Sequence, residues 1–292
     1  MRKYIGIDVH FDEKSGRLKL SHEQYISDNW SDFTSEMRIP MCPSHNLRIA
    51  EPVVSDKTML HDTGKFRYTS DHVRPDGLVA TGEISTGGDK NPSKLHELVS
   101  LRMKNYLYFT RTLGIEFGPG QLDIFGYCDA AYITVGNCKS RLGGCIFLNQ
   151  HSGAVRSFSK TDSQPSSVSH SSTEAEIKAI DEWCRELLHI LDIVSFLIGR
   201  RYDQPVKLFV DNQSAIHLCS TLKQNHKVKH INVRITFIRE LVAAGVIQLF
   251  HVGTEDNVAD LLTKPLDEYT FVKHRTVLLV GHGGVLPVHR AL

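Results

Sequence analysis

The order of apolar runs after residue 120 restricts this chain more than any other feature. Three strand-like runs come first, LDIFGYCDAAY (122–132), GCIFLN (144–149) and AVRSFSK (154–160), with short turns between them. Such connections join antiparallel neighbours, so the trio reads as a meander. A long helical pattern runs from Thr173 to Gly199. It is followed by a strand VKLFVD (206–211), a short helix NQSAIHLCSTL, and a helix KHINVRITFIRELVAAG stopped by Gly245. A strand IQLFHV (247–252) and a short helix NVADLLTK complete the order β-β-β-α-β-α-α-β-α.

Four acidic residues fall in four of these segments: Asp129 in GYCDAAY, Glu176 in SSTEAE, Asp211 in FVDNQSA and Asp260 in DNVADLLTKP. A carboxylate near a core is costly unless it is paired, neutralised or bound to a cation. Four that converge suggest divalent-metal and phosphate chemistry. On the long helix, Glu176, Ile180, Trp183, Leu187, Leu191 and Val194 form one stripe. Glu174, Lys178, Asp181 and Arg185 form a polar stripe with two i,i+4 acid–base pairs. Glu176 is thus expected to face the core and Glu174 to face water. By alternation Asp129 shares a strand face with Tyr127, and Cys128 takes the other. Each acid also has an ordinary role open to it. Asp129 could be a turn aspartate and Asp211 an N-cap. Glu176 could form a capping box with Thr173, as Glu174 could with Ser171, and Asp260 could complement a helix dipole.

Upstream, RKYIGIDVHF and RLKL flank the turn EKSG as a hairpin, and Ser21 with Gln24 fits a capping box opening the helix SHEQYISDNW. Residues 31–90 are poorly patterned and broken by Pro40, Pro43, Pro52 and Pro75. Asn91-Pro92 reads as the start of a helix with Leu95, Leu98, Val99, Met103 and Tyr106 behind it. FGPG at 117–120 is a break and the expected boundary between segments 1–118 and 119–269; residues 270–292 read as a tail with no functional motif.

Hydrophobic residues make up 41% of the 292, which supports a packed core, and the formal net charge of +1 does not advertise nucleic-acid binding. Any such binding needs a local patch. No CxxC pair or zinc spacing occurs among six Cys and 16 His, so the cysteines read as reduced thiols. The start MRKYIGIDVHF has no apolar signal region, and Leu187–Ile198 is too short and polar to span a bilayer. No Gly-rich phosphate loop follows a strand, which disfavours a generic nucleotide-binding protein.

In order and spacing, GYCDAAY, CKSRLGG, SFSK, SSTEAEIKAI, LFVDNQSAI, KHINVRITFIREL and HVGTEDNVADLLTKPL resemble the ribonuclease H domain of copia-type (Ty1/copia) retrotransposon polyproteins. The resemblance covers residues 120–268. KYIGIDV, SHEQYI, IPM, RPDGLVATGEIS, NPSKLH and LGIEF resemble the thumb and connecting region at the end of the same family's reverse transcriptase. The implied fold is α/β: a ribonuclease H-like five-stranded mixed sheet flanked by helices, preceded by a smaller α+β thumb-like segment. The implied activity is metal-dependent endonucleolytic hydrolysis of the RNA strand of RNA–DNA hybrids, leaving a 5′-phosphate and a 3′-hydroxyl. The polymerase's tyrosine–aspartate–aspartate turn is not found in this chain, so no polymerisation is expected.

The resemblance assigns two Mg²⁺ or Mn²⁺ ions to Asp129, Glu176, Asp211 and Asp260. It also points to His251 as an aid to water activation or product release, where an ordinary structural histidine is the alternative. Asn212 and Gln213 match a hybrid-contacting segment, and amides there can read ribose hydroxyls across the minor groove. Lys139, Ser140 and Lys160 are candidate phosphate contacts, with Lys227, Lys229 and His230 a further basic run. Two positions depart from the family pattern: Ala131 stands where a second acid is usual, and Ile177 where an aromatic is usual. The implied partners are an RNA–DNA hybrid and the rest of the reverse transcriptase. The implied place is the cytoplasm or a virus-like particle, with no membrane. The rival reading is a non-catalytic retroelement remnant that binds nucleic acid or a polyprotein partner.

Overall fold

The computed structural model describes residues 2–31, 33, 35–45, 57–88, 93–135, 139–162, 171–221 and 231–283. A small antiparallel sheet opens the chain: β1 (Arg2–Tyr4), β2 (Ile7–Asp12), β3 (Arg17–Ser21) and, much later, β4 (Gly114–Phe117). The run RKYIGIDVHF is two strands, because Ile5 and Gly6 both take positive φ and reverse the chain. Helix α1 (Glu23–Asn29) follows β3 without the Ser21–Gln24 capping box. Asp8 on β2 lies beside the helix start, and its Oδ2 accepts from the Gln24 amide at 3.0 Å. A side chain brought by the sheet therefore serves the donor that a local cap would have served.

Residues 31–90 hold more structure than their patterning suggests. Helix α2 (Lys57–His72), a short 3-10 turn (Pro75–Gly77) and helix α3 (Leu78–Gly88) lie here. Pro75 starts the 3-10 turn instead of interrupting a helix, and α3 (LVATGEISTGG) has no polar face to give it an amphipathic signature. Helix α4 (Lys94–Phe109) is capped by Ser93, whose hydroxyl accepts from the His96 amide; the anticipated cap and first-turn proline, Asn91 and Pro92, lie outside the described residues. Val99, Met103 and Tyr106 are buried as expected, whereas Leu98 is exposed.

The larger sheet is formed by β5 (Phe125–Val135), β6 (Lys139–Phe147), β7 (Ala154–Thr161), β8 (Val206–Val210) and β9 (Ile247–His251), in the order β7-β6-β5-β8-β9. The first three strands pair antiparallel, and β5, β8 and β9 run parallel. Helices α5 (Ser172–Ile198), α6 (Gln213–Ser220) and α7 (Asn232–Ala243) supply the crossovers. They bury one face of the sheet against Cys128, Ile146, Phe158 and Leu208. Glycines at 126 and 144 let Trp183 of α5 lie on the strands: a Cβ at either would come within 2.9 Å of its ring. The Trp183 Nε1 donates to the Cys145 carbonyl at 2.9 Å, which ties the middle of α5 to β6.

The opposite face carries Phe125, Tyr127, Phe147 and Phe209. It is covered by a 3-10 helix (Val258–Leu262) and by α8 (Glu268–Val280), the latter mostly within residues 270–292, which the sequence pattern suggests are a tail. Phe66, Met103 and Tyr106 of the N-terminal segment join the same apolar cluster. The break at 117–120 thus lies between elements that share one core. The polar stripe of α5 departs from expectation. Its two i,i+4 pairs form, Lys178–Glu174 at 3.6 Å and Arg185–Asp181 at 3.1 Å. Yet Glu174, Lys178 and Asp181 are buried, so Glu174 does not face water. Asp162 at the end of β7 and Arg234 of α7 close over that side and bond Lys178 and Asp181.

Candidate metal centre

Asp129, Asp211 and Asp260 come from three places far apart in sequence and meet at one end of the large sheet. Their ligand atoms all lie within 4.8 Å of one another. Asp129 projects from β5 on the Tyr127 face, while Cys128 enters the opposite core. Thr263 donates its hydroxyl to Asp129 Oδ2. Asp211 follows the last residue of β8, with Thr254 Oγ1 at 3.3 Å from its Oδ2. Asp260 lies in the 258–262 helix, capped by Asn257, whose Oδ1 accepts from the Ala259 amide.

Glu176 belongs to the same electrostatic group. It sits near the start of α5, which is capped by Ser171 accepting from the Glu174 amide at 3.2 Å; the Thr173 box is not used. The Glu176 side chain is buried, takes one hydrogen bond from the Ala130 amide, and leaves Oε2 with no hydrogen-bond partner among the described residues. Burial raises its pKa well above the ordinary glutamate value, and the charges of Asp129 and Asp211 add to this. Burial, then the Asp129 charge, pushes Asp260 up to about 7. Asp211 is raised for the same two reasons. Lys264, one helical turn after Asp260, offsets part of this with its Nζ 2.9 Å from Asp260 Oδ1. Cations and protons compete for such a cluster. Its all-oxygen donor set, with an orphaned buried oxygen on Glu176, fits a hard divalent cation.

His251, at the end of β9, places Nε2 3.2 Å from the Asp211 carbonyl oxygen and is half-buried at the rim of the cluster. Asn212 caps α6, accepting from the Ala215 amide at 3.0 Å, and Gln213 is exposed beside it. Lys160 is bonded to Glu182 and Glu186 of α5, and Ser140 is buried. The side chain of Lys139 lies outside the described residues, as do Lys227, Lys229 and His230. Three neighbours of the cluster were not singled out from sequence: Asn257, Thr263 and Lys264. All lie in DNVADLLTKPL, and the Asp260–Lys264 spacing is the i,i+4 signature that could have revealed the last. The described cysteines, Cys42, Cys128, Cys145, Cys184 and Cys219, are free thiols. No helix among the described residues is long and apolar enough to cross a membrane.

A three-stranded meander, two parallel strands and helical crossovers, with carboxylates gathered at the strand ends, define a ribonuclease H-like α/β fold. The homologues of this chain are Ty1/copia-type retrotransposon Pol and Gag-Pol polyproteins. The transposon RE1 Pol polyprotein of Arabidopsis thaliana is 29% identical over 262 residues, covering 87% of this chain and 17% of the relative. The transposon TNT 1-94 Pol polyprotein of Nicotiana tabacum is 27% identical over 282 residues, covering 92% of the chain and 21% of the relative. The Ty1-JR1 Gag-Pol polyprotein of Saccharomyces cerevisiae is 30% identical over 146 residues, covering 49% and 8%. The chain therefore spans about a fifth or less of these relatives. Among solved structures, LC11-RNase H1 isolated from compost is 17% identical with a TM-score of 0.36, covering 49% of this chain and 94% of that one. A foamy viral protease–reverse transcriptase in complex with RNA/DNA hybrid gives 17% and 0.36, covering 50% and 21%. No protein-family model matches the chain.

Proposed function

We propose that this chain hydrolyses the RNA strand of RNA–DNA hybrids endonucleolytically, as part of a retrotransposon reverse transcriptase/ribonuclease H polyprotein. The observation that carries the reading is the convergence of Asp129, Asp211 and Asp260 within 4.8 Å, beside the buried, half-satisfied carboxylate of Glu176. Asp129, Asp211, Asp260 and Glu176 would hold two Mg²⁺ or Mn²⁺ ions. When bound, such ions supply a Lewis acid for the phosphoryl oxygens and an acidified water nucleophile.

The chain's own groups do the rest. Thr263 fixes the rotamer of Asp129, and Asn257 fixes the turn that presents Asp260. Lys264 keeps Asp260 ionised nearer neutral pH than burial alone would allow. His251 stands at the rim, where an imidazole could relay a proton to or from the reacting water or the leaving oxygen. Asn212 and Gln213, at the start of α6, stand next to Asp211, where their amides could meet ribose hydroxyls of a bound hybrid. The N-terminal elements, in this reading, are the end of the polymerase that hands the hybrid to the cluster.

Incubation of the purified chain with a labelled RNA–DNA hybrid and Mg²⁺, beside the Asp211→Asn variant, tests the reading. Cleavage of the RNA strand to 5′-phosphate ends that vanishes in the variant is the expected result. Hybrid binding without cleavage by the unsubstituted chain would refute it in favour of a remnant that only binds.

A further inference from the structure

The 258–262 helix that carries Asp260 is packed between two layers. On one side it meets β5 and β6, and on the other α3 and the 75–77 turn. An ion pair whose guanidinium is buried ties these layers together. Arg141 sits on β6 opposite Ala131, two residues from Gly143, which pairs with Asp129. Its Nη2 donates to Glu83 Oε1 of α3 at 2.6 Å, and Nη1 lies 3.3 Å from Ser159 Oγ. Arg141 is 2% exposed. Gly82 permits the approach, since a Cβ there would stand 2.5 Å from Arg141 Nη1. On the same face of β6, a Cβ at Gly143 would lie 2.7 Å from Thr263 Cγ2. Thr263 is the residue that bonds Asp129. The path from Glu83 to the cluster is therefore short and close-packed: α3 to Arg141, along β6 to Gly143, across to Thr263, and so to Asp129 and Asp260.

A buried guanidinium is tolerated only with its partner, so the pair holds α3 and β6 at one separation. Nothing in the hydrolysis itself uses either charge. We infer that Glu83 and Arg141 are a positioning pair for the acidic cluster, so that residues 78–88 set the spacing of the carboxylates and are a working part of the site. The consequence for catalysis rests on the hydrolase reading above; the consequence for cation binding does not.

The experiment titrates the full chain with Mn²⁺, following free Mn²⁺ by electron paramagnetic resonance, with circular dichroism as the check on folding. Glu83→Gln and Arg141→Lys are expected to weaken Mn²⁺ binding about tenfold or more, the range seen when residues supporting metal ligands are changed. Exchanging the charges, Glu83→Arg with Arg141→Glu, restores part of the affinity. Gly82→Ala keeps both charges but displaces the guanidinium, and weakens binding in the same direction. Lys207→Gln breaks the ion pair with Asp123 (3.1 Å) at the other end of β8 and leaves the affinity unchanged. Folded Glu83→Gln and Arg141→Lys proteins with unaltered Mn²⁺ affinity would overturn the inference; if neither folds, Gly82→Ala decides it by the same measurement. Cleavage of hybrid, read in parallel, should show kcat falling with KM unchanged. An unsubstituted chain that binds Mn²⁺ but cleaves no hybrid refutes the hydrolase and leaves the positioning role to the titration.

Discussion

Asn257 Nδ2 donates to the carbonyl of Cys128 at 3.1 Å, which joins the turn bearing Asp260 to the strand bearing Asp129 across 129 residues of sequence. The same side chain caps the 258–262 helix through Oδ1, accepting from the Ala259 amide at 3.1 Å. One fully buried amide thus satisfies a strand carbonyl and a helix donor together, and sets the distance between two carboxylates.

Asn257→Ala should cost about 2–3 kcal/mol, combining a lost cap with a buried carbonyl left without its donor. Asn257→Asp keeps the cap but removes the donor to Cys128. It also buries a carboxylate oxygen against that carbonyl, so it should destabilise at least as much and also reduce hybrid cleavage. Urea denaturation and cleavage rate, measured on both variants, separate the two roles. Equal activity in the Asp variant and the unsubstituted chain would mean that the tie to β5 does not matter.

The pH dependence follows from the raised carboxyl groups. A carboxyl whose folded pKa lies above its unfolded value destabilises the fold once it must ionise. For Asp260 the cost begins above its ordinary value near 3.8 and is complete once pH exceeds about 7. Glu176 and Asp211 act in the same direction. His22 and His274 oppose them: burial holds both imidazoles down to about 4, so they weaken the fold as pH falls below the ordinary value of 6.5. The bare melting profile therefore mixes two trends, and the Mg²⁺-induced rise in Tm isolates the cluster. That rise should be larger at about pH 8 than at about pH 5, because protons displace the cation at the lower pH. Lys264→Met removes the charge that lowers Asp260, so the acid limb of the cleavage profile should move to higher pH. A Tm indifferent to Mg²⁺ at both pH values would argue against cation binding at these acids.

Lys178 is 2% exposed between Asp162, at 2.8 Å, and Glu174, at 3.6 Å. Lys178→Met should cost about 3 kcal/mol or more, because two buried carboxylates lose their cation. The cleavage rate per folded molecule should stay unchanged, since Glu176 lies on another face of α5. A denaturation curve close to that of the unsubstituted chain would show that other partners already compensate those acids.

The larger sheet was legible because its signals are local. Alternation put Tyr127 and Cys128 on opposite faces of β5, and the stripe from Glu176 to Val194 marked the buried side of α5. Glu174 is buried against the expectation from its stripe, for a physical reason. A helical stripe separates apolar from polar residues, but whether the polar side meets water depends on what else packs there, and here β7 and α7 do. The cap of α1 by Asp8 and the tie from Asn257 to Cys128 depend on the third dimension in the same way. Helices α2 and α3 escaped notice because neither carries a strong periodic stripe.

Helix α8 supplies the sharpest test of whether the N-terminal segment and the large sheet stabilise each other. Phe271, 5% exposed, lies edge-on to Tyr106 of α4 with ring centroids 5.8 Å apart, and belongs to the cluster holding Phe125 and Leu262. Tyr106 in turn bonds Asp76, which Arg74 grips at 2.8 Å. Phe271 therefore bridges a polar network on the N-terminal side and the apolar face of the sheet. Phe271→Ala should cost about 3–5 kcal/mol, as for other buried aromatic truncations. If the two sides form one cooperative unit, unfolding stays a single transition at lower urea, with fluorescence and circular dichroism coincident. Two separated transitions in the variant, with hybrid cleavage surviving the first, would show that the sheet keeps its acidic cluster without the N-terminal layer.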